Sequence, residues 1–503
     1  MLASVATFGL EGVDAREVTV EVDVRPGLPA FTIVGLPDVA VRESRERVRA
    51  ALLNSSQQFP LARLTANLAP AWVRKAGASF DLALAICVLA ASGQVPPERL
   101  ERTAVCGELS LGGAVRPVRG SLAVALAARS AGYTRLIVPV ANAPEAALAD
   151  GIDVLGLASI ERIVDLLHER RAAEPAAARA PDPVPTDAPD LADVRGQQDA
   201  KRALEIAAAG AHNLLMVGPP GAGKTMIARR LPGILPPPSL EEAVEITRIH
   251  SVAGLGGRLA GERPFRGPHH TISAQGLVGG GAHPRAGEVT LAHRGVLFLD
   301  ELAEFSRAAL EALRQPLEDG FVAITRGQRS LVFPARTVLL AACNPCPCGR
   351  PADSCECAAA ERARYHRRLS GPLLDRIDLV CQVSPPPAAE LVANESSAER
   401  SAPVRERVIA ARERQLARLA GSPALCNGAM DGRATRTHAV LGGRAARRLV
   451  DVVDRGSLTG RGHDRVLRLA RTIADLAGRD AIMTEDVDEA LGYRLGAVGE
   501  AAA

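Results

Sequence analysis

Gly218, Pro219, Pro220, Gly221, Ala222, Gly223, Lys224 and Thr225 spell G-x-x-x-x-G-K-T. Glycines at those places let a loop fold round a polyphosphate with its backbone N–H groups turned inward. Lys224 is then expected to reach the β- and γ-phosphates, and the Thr225 hydroxyl to coordinate Mg²⁺. Residue usage makes the same point, because the only lysines in the chain are Lys75, Lys201 and Lys224. Cationic needs elsewhere are met by arginine, while this loop keeps a compact ammonium. Two acids, Asp300 and Glu301, end the apolar run 296–299. Asp300 is expected to hold the Mg²⁺ shell and Glu301 to polarise an attacking water. Asn344 closes a third apolar run, 337–343. Its amide can orient that water, but an asparagine before Pro345 also forms turns, so residue type leaves both roles open.

Two further clusters carry chemistry. Cys346, Cys348, Cys355 and Cys357 form C-x-C-x₆-C-x-C directly after Asn344. Four thiolates in a short loop either hold one Zn²⁺ tetrahedrally or stay free or redox-active, the spacing being tighter than the usual C-x₂-C. The other cysteines, among them Cys87 and Cys381, lie in apolar runs and read as core. Arg326, Gln328 and Arg329 sit at the tip of a predicted β-hairpin over 322–333. Such a tip is often just solvated, yet two arginines on a rigid protrusion suit the phosphates of a polyanion, which makes these three residues candidate polyanion contacts.

These groups need a scaffold. The runs 213–217, 296–299 and 337–343 read as buried strands, and 226–231 as the helix that follows the loop. Ser239-Leu240-Glu241-Glu242 is a capping box opening a helix to about Ile249, followed by a glycine- and proline-rich insertion over 251–294. Towards the N-terminus, 18–24 and 31–35 alternate as strands, 44–53 and 80–91 have helical spacing, 135–139 is a strand and 160–168 a helix. This predicts a self-contained α+β domain with no chemistry of its own. Residues 171–190 turn to Ala, Pro, Asp and Glu, cannot bury enough apolar surface to fold, and read as an extended, disordered linker. Beyond Pro385 every signal is helical and arginine-rich, with most of those arginines expected on a solvated face. The expected division is therefore 1–170, a linker over 171–190, an ATPase core over 191–385 and a helical domain over 386–503. A chain of 503 residues has room for such domains. Its net charge of +3 does not imply nucleic acid, and an aromatic content of 3% leaves little base stacking, so any nucleic acid must be held through its phosphates. No apolar run reaches membrane-spanning length, the first residues lack a basic leader, and nine cysteines form no disulfide framework, so a cytoplasmic location with no membrane partner is expected.

Taken in order, these motifs resemble the magnesium-chelatase-like AAA+ ATPases of the ComM/YifB family. The resemblance rests on 218–225, PHHTIS at 268–273, GEVTLAHRGVLFLDE at 287–301, NPCPCG at 344–349, SGPLLDRIDL at 370–379 and DRVLRLARTIADL at 464–476. It implies an α/β fold with a P-loop AAA+ core of the helix-2-insert type, an N-terminal α+β domain similar to the Lon protease/S5 fold, and a C-terminal helical lid. ATP and Mg²⁺ are the implied cofactors, and a homo-hexamer with nucleotide held between subunits the implied assembly. By motif, Lys224 and Thr225 are Walker A, Asp300 and Glu301 Walker B, and Asn344 sensor 1. Arg376 in LLDR resembles the arginine finger that reaches a neighbour's γ-phosphate. Arg461, expected just before a lid helix that starts near Asp464, resembles sensor 2, with Arg465 a competitor on the same face. The 322–333 hairpin and the 251–294 insertion correspond to pore-lining elements. The implied activity is ATP hydrolysis coupled to remodelling single-stranded or branched DNA, as in a branch-migration helicase of recombination and natural transformation. A magnesium-chelatase motor subunit and a protein-remodelling chaperone are the alternatives. Peptidase activity is not expected, because Ser79 falls near the nucleophile's place but no lysine lies between Lys75 and Lys201, and the position of the base falls around Leu122.

Overall fold

The computed structural model describes residues 1–73, 75–179, 189–281, 284–326, 329–350, 354–368, 371–386, 398–455 and 458–501. Contacts divide the chain into two units, Met1–Pro183 with Leu240–Gly261, and Val184–Ser239 with Glu262–Ala503.

The first unit is built on a seven-stranded mixed sheet. Its strands, from one edge to the other, are Ala30–Val34, Arg63–Ala69, Asp14–Arg25, Leu2–Glu11, Thr103–Val105, Arg135–Pro139 and Asp153–Leu157. Leu2–Glu11 and Asp14–Arg25 pair antiparallel along their whole length, and Val18, Val20 and Val22 alternate into the core with no exposure. The sequence reading missed Leu2–Glu11, Arg63–Ala69, Thr103–Val105 and Asp153–Leu157. Ala3, Val5 and Thr7 of the first are buried on one face, but Ala6 and Phe8 are buried on the other, which blurs the period-two signal. Helix Asp81–Ala91 is buried on every side. Its wholly buried Asp81 is satisfied by the Arg47 guanidinium at 2.7 and 3.0 Å, by the Ser44 hydroxyl and by the Leu109 N–H at 3.4 Å. A buried charge this well paired is the arrangement that tolerates desolvation.

A segment from the middle of the chain completes this unit. The capping-box helix runs over Leu240–Ala253, past the expected end. It packs with helix Ser121–Ser130, where the Gly120 N–H donates to Ser251 Oγ at 3.0 Å and Ser251 Oγ donates to the buried Glu145 carboxylate. The sequence reading placed this segment in the ATPase core; its contacts place it with the N-terminal unit.

The second unit holds a five-stranded, wholly parallel sheet in the order Phe265–Arg266, Val296–Leu299, Val338–Cys343, Leu214–Val217, Leu379–Gln382. Phe265–Arg266 was expected within the insertion, but it hydrogen-bonds to Val296–Leu299, and Phe265 stacks on Phe298 with centroids 5.8 Å apart. Two residues are too short a run for periodicity to reveal. The helix expected over 226–231 is split into Lys224–Ala228 and Leu231–Ile234, because Pro232 is tolerated only in the first turn of a helix and so starts a new one. The expected hairpin is present, with Phe321–Arg326 antiparallel to Arg329–Pro334. Among the described residues after Leu379–Gln382 come five α-helices, Ser401–Arg418, Gly432–His438, Gly443–Asp454, Gly460–Leu476 and Thr484–Ala501. Gly460–Leu476 is the central one, burying Val466, Leu469, Ala470 and Ile473. Several arginines expected on a solvated face are not there. Arg471 is 2% exposed and donates to the Asp475 carboxylate, while Arg412 donates to the Ala208 carbonyl at the end of helix Gln198–Gly210. Among the described residues no helix is long and apolar enough to cross a membrane.

Candidate functional site

Because all five strands of the second sheet run the same way, their C-terminal ends share one edge, where open parallel sheets bind ligands. Gly218 follows Leu214–Val217, Asp300 follows Val296–Leu299 and Asn344 follows Val338–Cys343. Three segments far apart in sequence therefore deliver their polar ends together. Gly221 and Gly223 take φ of +75° and +86°, left-handed values that side chains resist. Lys224 Nζ donates to the Gly218 and Pro219 carbonyls at 2.7 and 2.9 Å and to Asn344 Oδ1 at 3.1 Å. Burial lowers the Lys224 pKa from its ordinary value, against the opposing pull of Asp300 and Glu301. Thr225 Oγ1 donates to Asp300 Oδ2 at 2.6 Å. Two hard oxygens at that spacing are close to the ~2.9 Å that separates adjacent ligands around an octahedral Mg²⁺.

Glu301 has φ +52°, unusual for a residue with a side chain, and its N–H donates to Asp300 Oδ1 at 3.0 Å. Strain of this kind gathers at functional sites. The Glu301 carboxylate lies 3.1 Å from His270 Nδ1. Both line a cavity of 870 Å³ together with Thr225, Arg229, His269 and Asp300.

The arginines separate cleanly. Arg376 pairs with Glu318, whose carboxyl it holds below the usual range, and the Arg376 carbonyl accepts from Asn213 Nδ2 at 2.8 Å. Arg461 falls within the first turn of helix Gly460–Leu476, not ahead of it, and its side chain is 68% exposed at 3.9 Å from Asp375. Arg465, one turn on, is buried against Asp378 at 3.2 Å. Of the hairpin tip, Gln328 lies outside the described residues; the backbone pairs Arg326 with Arg329.

The four clustered cysteines converge, with all four sulfurs within 4.8 Å of one another. Cys346 and Cys348 are 3.3 Å apart and Cys348 and Cys355 3.8 Å, too far for disulfides. Zn–S bonds of about 2.3 Å in a tetrahedron put sulfurs about 3.8 Å apart, so the donor set fits Zn²⁺. The loop they close leans on the nucleotide loop: at Gly349 (φ +72°) a Cβ would lie 2.6 Å from Pro220 Cδ. By contrast Cys87, Cys106, Cys343, Cys381 and Cys426 are buried, and burial pushes the first four thiols up to about 12.

Sequence reasoning missed three side chains that touch the predicted site residues. His270 was legible only as part of PHHTIS. Glu318 lies far from Arg376 in sequence. Tyr365, whose hydroxyl donates to the Asn344 carbonyl at 3.1 Å, carried no motif.

Comparison with known proteins agrees with this geometry. Residues 190–391 match the family described as "Magnesium chelatase, subunit ChlI", residues 20–142 "Subunit ChlI of Mg-chelatase", and residues 398–494 "Magnesium chelatase, subunit ChlI C-terminal". The chain is 47% identical over 497 residues to an uncharacterized protein of Mycobacterium tuberculosis (strain ATCC 25618 / H37Rv), covering 97% of each. It is 44% identical over 496 residues to YifB of Salmonella typhimurium (98% of this chain, 97% of the relative). It is 42% identical over 500 residues to competence protein ComM of Haemophilus influenzae, with the same coverage. A shorter match, 33% over 137 residues and 25% of each chain, is to Lon protease 2 of Bacillus subtilis, in keeping with a Lon-like N-terminal fold.

Proposed function

We propose that this chain, which belongs to the magnesium-chelatase-like AAA+ ATPases of the ComM/YifB family, is an ATP-driven ring motor that acts on DNA. The observation that carries the ATPase reading is the convergence of Lys224, Thr225, Asp300 and Asn344 within hydrogen-bonding distance at one sheet edge. Lys224 binds the terminal phosphates, exchanging the loop carbonyls and Asn344 for phosphate oxygens. Thr225 and Asp300 would hold Mg²⁺, which when bound offsets charge that builds on the phosphates. Glu301 takes a proton from the attacking water, and Asn344 orients that water. Arg376 serves the neighbouring subunit's nucleotide in a homo-hexamer. Arg461 serves as sensor 2: its exposure leaves it able to move with nucleotide, whereas Arg465 is committed to Asp378. The four cysteines 346, 348, 355 and 357 hold a structural Zn²⁺.

The DNA reading draws on two things: a relative's name, competence protein, and two arginines whose backbones pair at the tip of a hairpin. On this reading the motor works in the cytoplasm on single-stranded or branched DNA, as a branch-migration helicase would. ATPase rates with no DNA, single-stranded, duplex and branched DNA test it. Stimulation by one of these forms is expected, and its loss when Arg326 and Arg329 are both replaced by Ala. No response to any DNA overturns the reading and favours a chelatase motor subunit, the activity that the matching families' descriptions name.

A further inference from the structure

The run 268–273 contains two adjacent histidines that the roles above leave unused. His270 is 29% exposed, and its Nδ1 lies 3.1 Å from Glu301 Oε2. The imidazole is braced on two sides. His269 lies against it, tilted by 35° with centroids 4.1 Å apart, and the Phe305 ring meets it edge-on at 6.5 Å and 75°. The backbone that carries it is tied down as well. His269 Nδ1 lies 2.9 Å from Thr271 Oγ1, the Ile272 N–H donates to the His269 carbonyl at 3.0 Å, and Ser273 caps helix Ala274–Val278 through the Gly276 N–H at 3.0 Å. Glu301, by contrast, is 59% exposed, and only its backbone N–H, not its carboxylate, takes part in the bond to Asp300 Oδ1.

We propose that His270 is the positioning residue for Glu301. Its Nδ1–H holds the carboxylate in the cavity that Thr225 and Asp300 also line, in one orientation out of the several an exposed glutamate would sample. A carboxylate 1 Å out of place loses most of its value to a water it must deprotonate, so fixing it acts on kcat and not on nucleotide binding. The inference rests on the reading of Glu301 as the base.

Steady-state ATPase of the full chain tests it. His270→Ala should lower kcat by about tenfold or more with KM for ATP within about threefold, since binding depends on the phosphate loop. His270→Asn puts an amide N–H close to where Nδ1 stands and should recover much of the loss. In a Glu301→Gln background, followed by single-turnover hydrolysis of labelled ATP, His270→Ala should cost nothing further, because it acts through the carboxylate. A fluorescent ATP analogue binding all variants alike reports that the site is folded. Unchanged kcat in His270→Ala overturns the proposal, as do equal losses in the Ala and Asn variants or an additional loss on top of Glu301→Gln. If the His270→Ala protein fails to bind the analogue, the Asn variant decides: its kcat near wild type supports the proposal and a tenfold loss overturns it. Wild-type protein without ATPase activity overturns the ATPase reading itself, a different result from active wild type with an indifferent His270.

Discussion

At the scale of single residues, the proposed function divides labour between groups that would hold phosphate and groups that would act on water. Lys224→Ala removes the ammonium and should abolish binding of a fluorescent ATP analogue. Glu301→Gln keeps shape and size but loses the base, so it should bind the analogue normally while hydrolysis falls by at least about 10²-fold; near-normal turnover in that variant would remove Glu301 from its role. These residues were legible from sequence because phosphate chemistry fixes both type and spacing: a lysine and a hydroxyl after a glycine loop, two acids after an apolar run. What surrounds them was not. Tyr365 on the Asn344 carbonyl and Glu318 on Arg376 are met through folding, and no local spacing encodes a contact between residues 21 or 58 positions apart. Arg461 and Arg465 look alike in sequence, and only burial tells the exposed one from the one spent on Asp378.

At the scale of elements, the cysteine loop and the lid helix each make a checkable claim. Protein purified under reducing conditions without chelator should carry about one zinc per chain by metal analysis, lost in a Cys346→Ser/Cys348→Ser variant. Since the loop abuts Pro220, that loss should also weaken nucleotide binding. The lid helix Gly460–Leu476 reaches the sheet through Asp378, just before Leu379–Gln382. Burial alone would raise the Asp378 pKa, but His212, Arg468 and Arg465 overcome it and hold the carboxyl below its ordinary value, with Arg494 also in its field. His212 is itself lowered by burial. A group depressed in the folded state stabilises fully above its unfolded pKa and loses that contribution as pH falls. For His212 the loss begins below about pH 6.5, and for Asp378 below about pH 4. Thermal melts should therefore show falling Tm on acidification. Asp378→Asn should cost about 3–5 kcal/mol at neutral pH, leaving Arg465 uncompensated, and flatten the steepest acid limb. A Tm profile parallel to wild type would separate the lid from this ion pair. The strands of the core were readable as apolar runs ending in polar residues. The two-residue edge strand and the proline-split helix were not, because each depends on neighbours or on a single residue that interrupts a good pattern.

At the scale of the whole molecule, the proposed function makes the site a property of an assembly and not of one chain. Arg376→Ala should bind ATP normally and lose hydrolysis by about 10³-fold, as for arginines acting in trans. Mixed with a Lys224→Ala protein it should regain activity, because some interfaces then pair an intact loop with an intact arginine; no gain at any ratio would make the site private to each subunit. Domain order was legible from composition, but ownership of the helix Leu240–Ala253 was not, since its amphipathic pattern says that it packs and not against what. That ownership makes the chain pass between its two units three times, near 183, 239 and 261. No single cut in the chain therefore yields both units whole. A chain ending at 183 would lack the helix that meets Ser121–Ser130 and leaves Glu145 its Ser251 partner, while a chain beginning at 184 would carry that helix with nothing to bury it. Protease cleavage within 180–188 should leave two fragments that elute together on gel filtration until denaturant is added, and separate elution would contradict the shared helix. Deleting the N-terminal unit then damages the motor as a folded object, so the phenotype of such a deletion reports on lost folding as much as on any task the first unit performs.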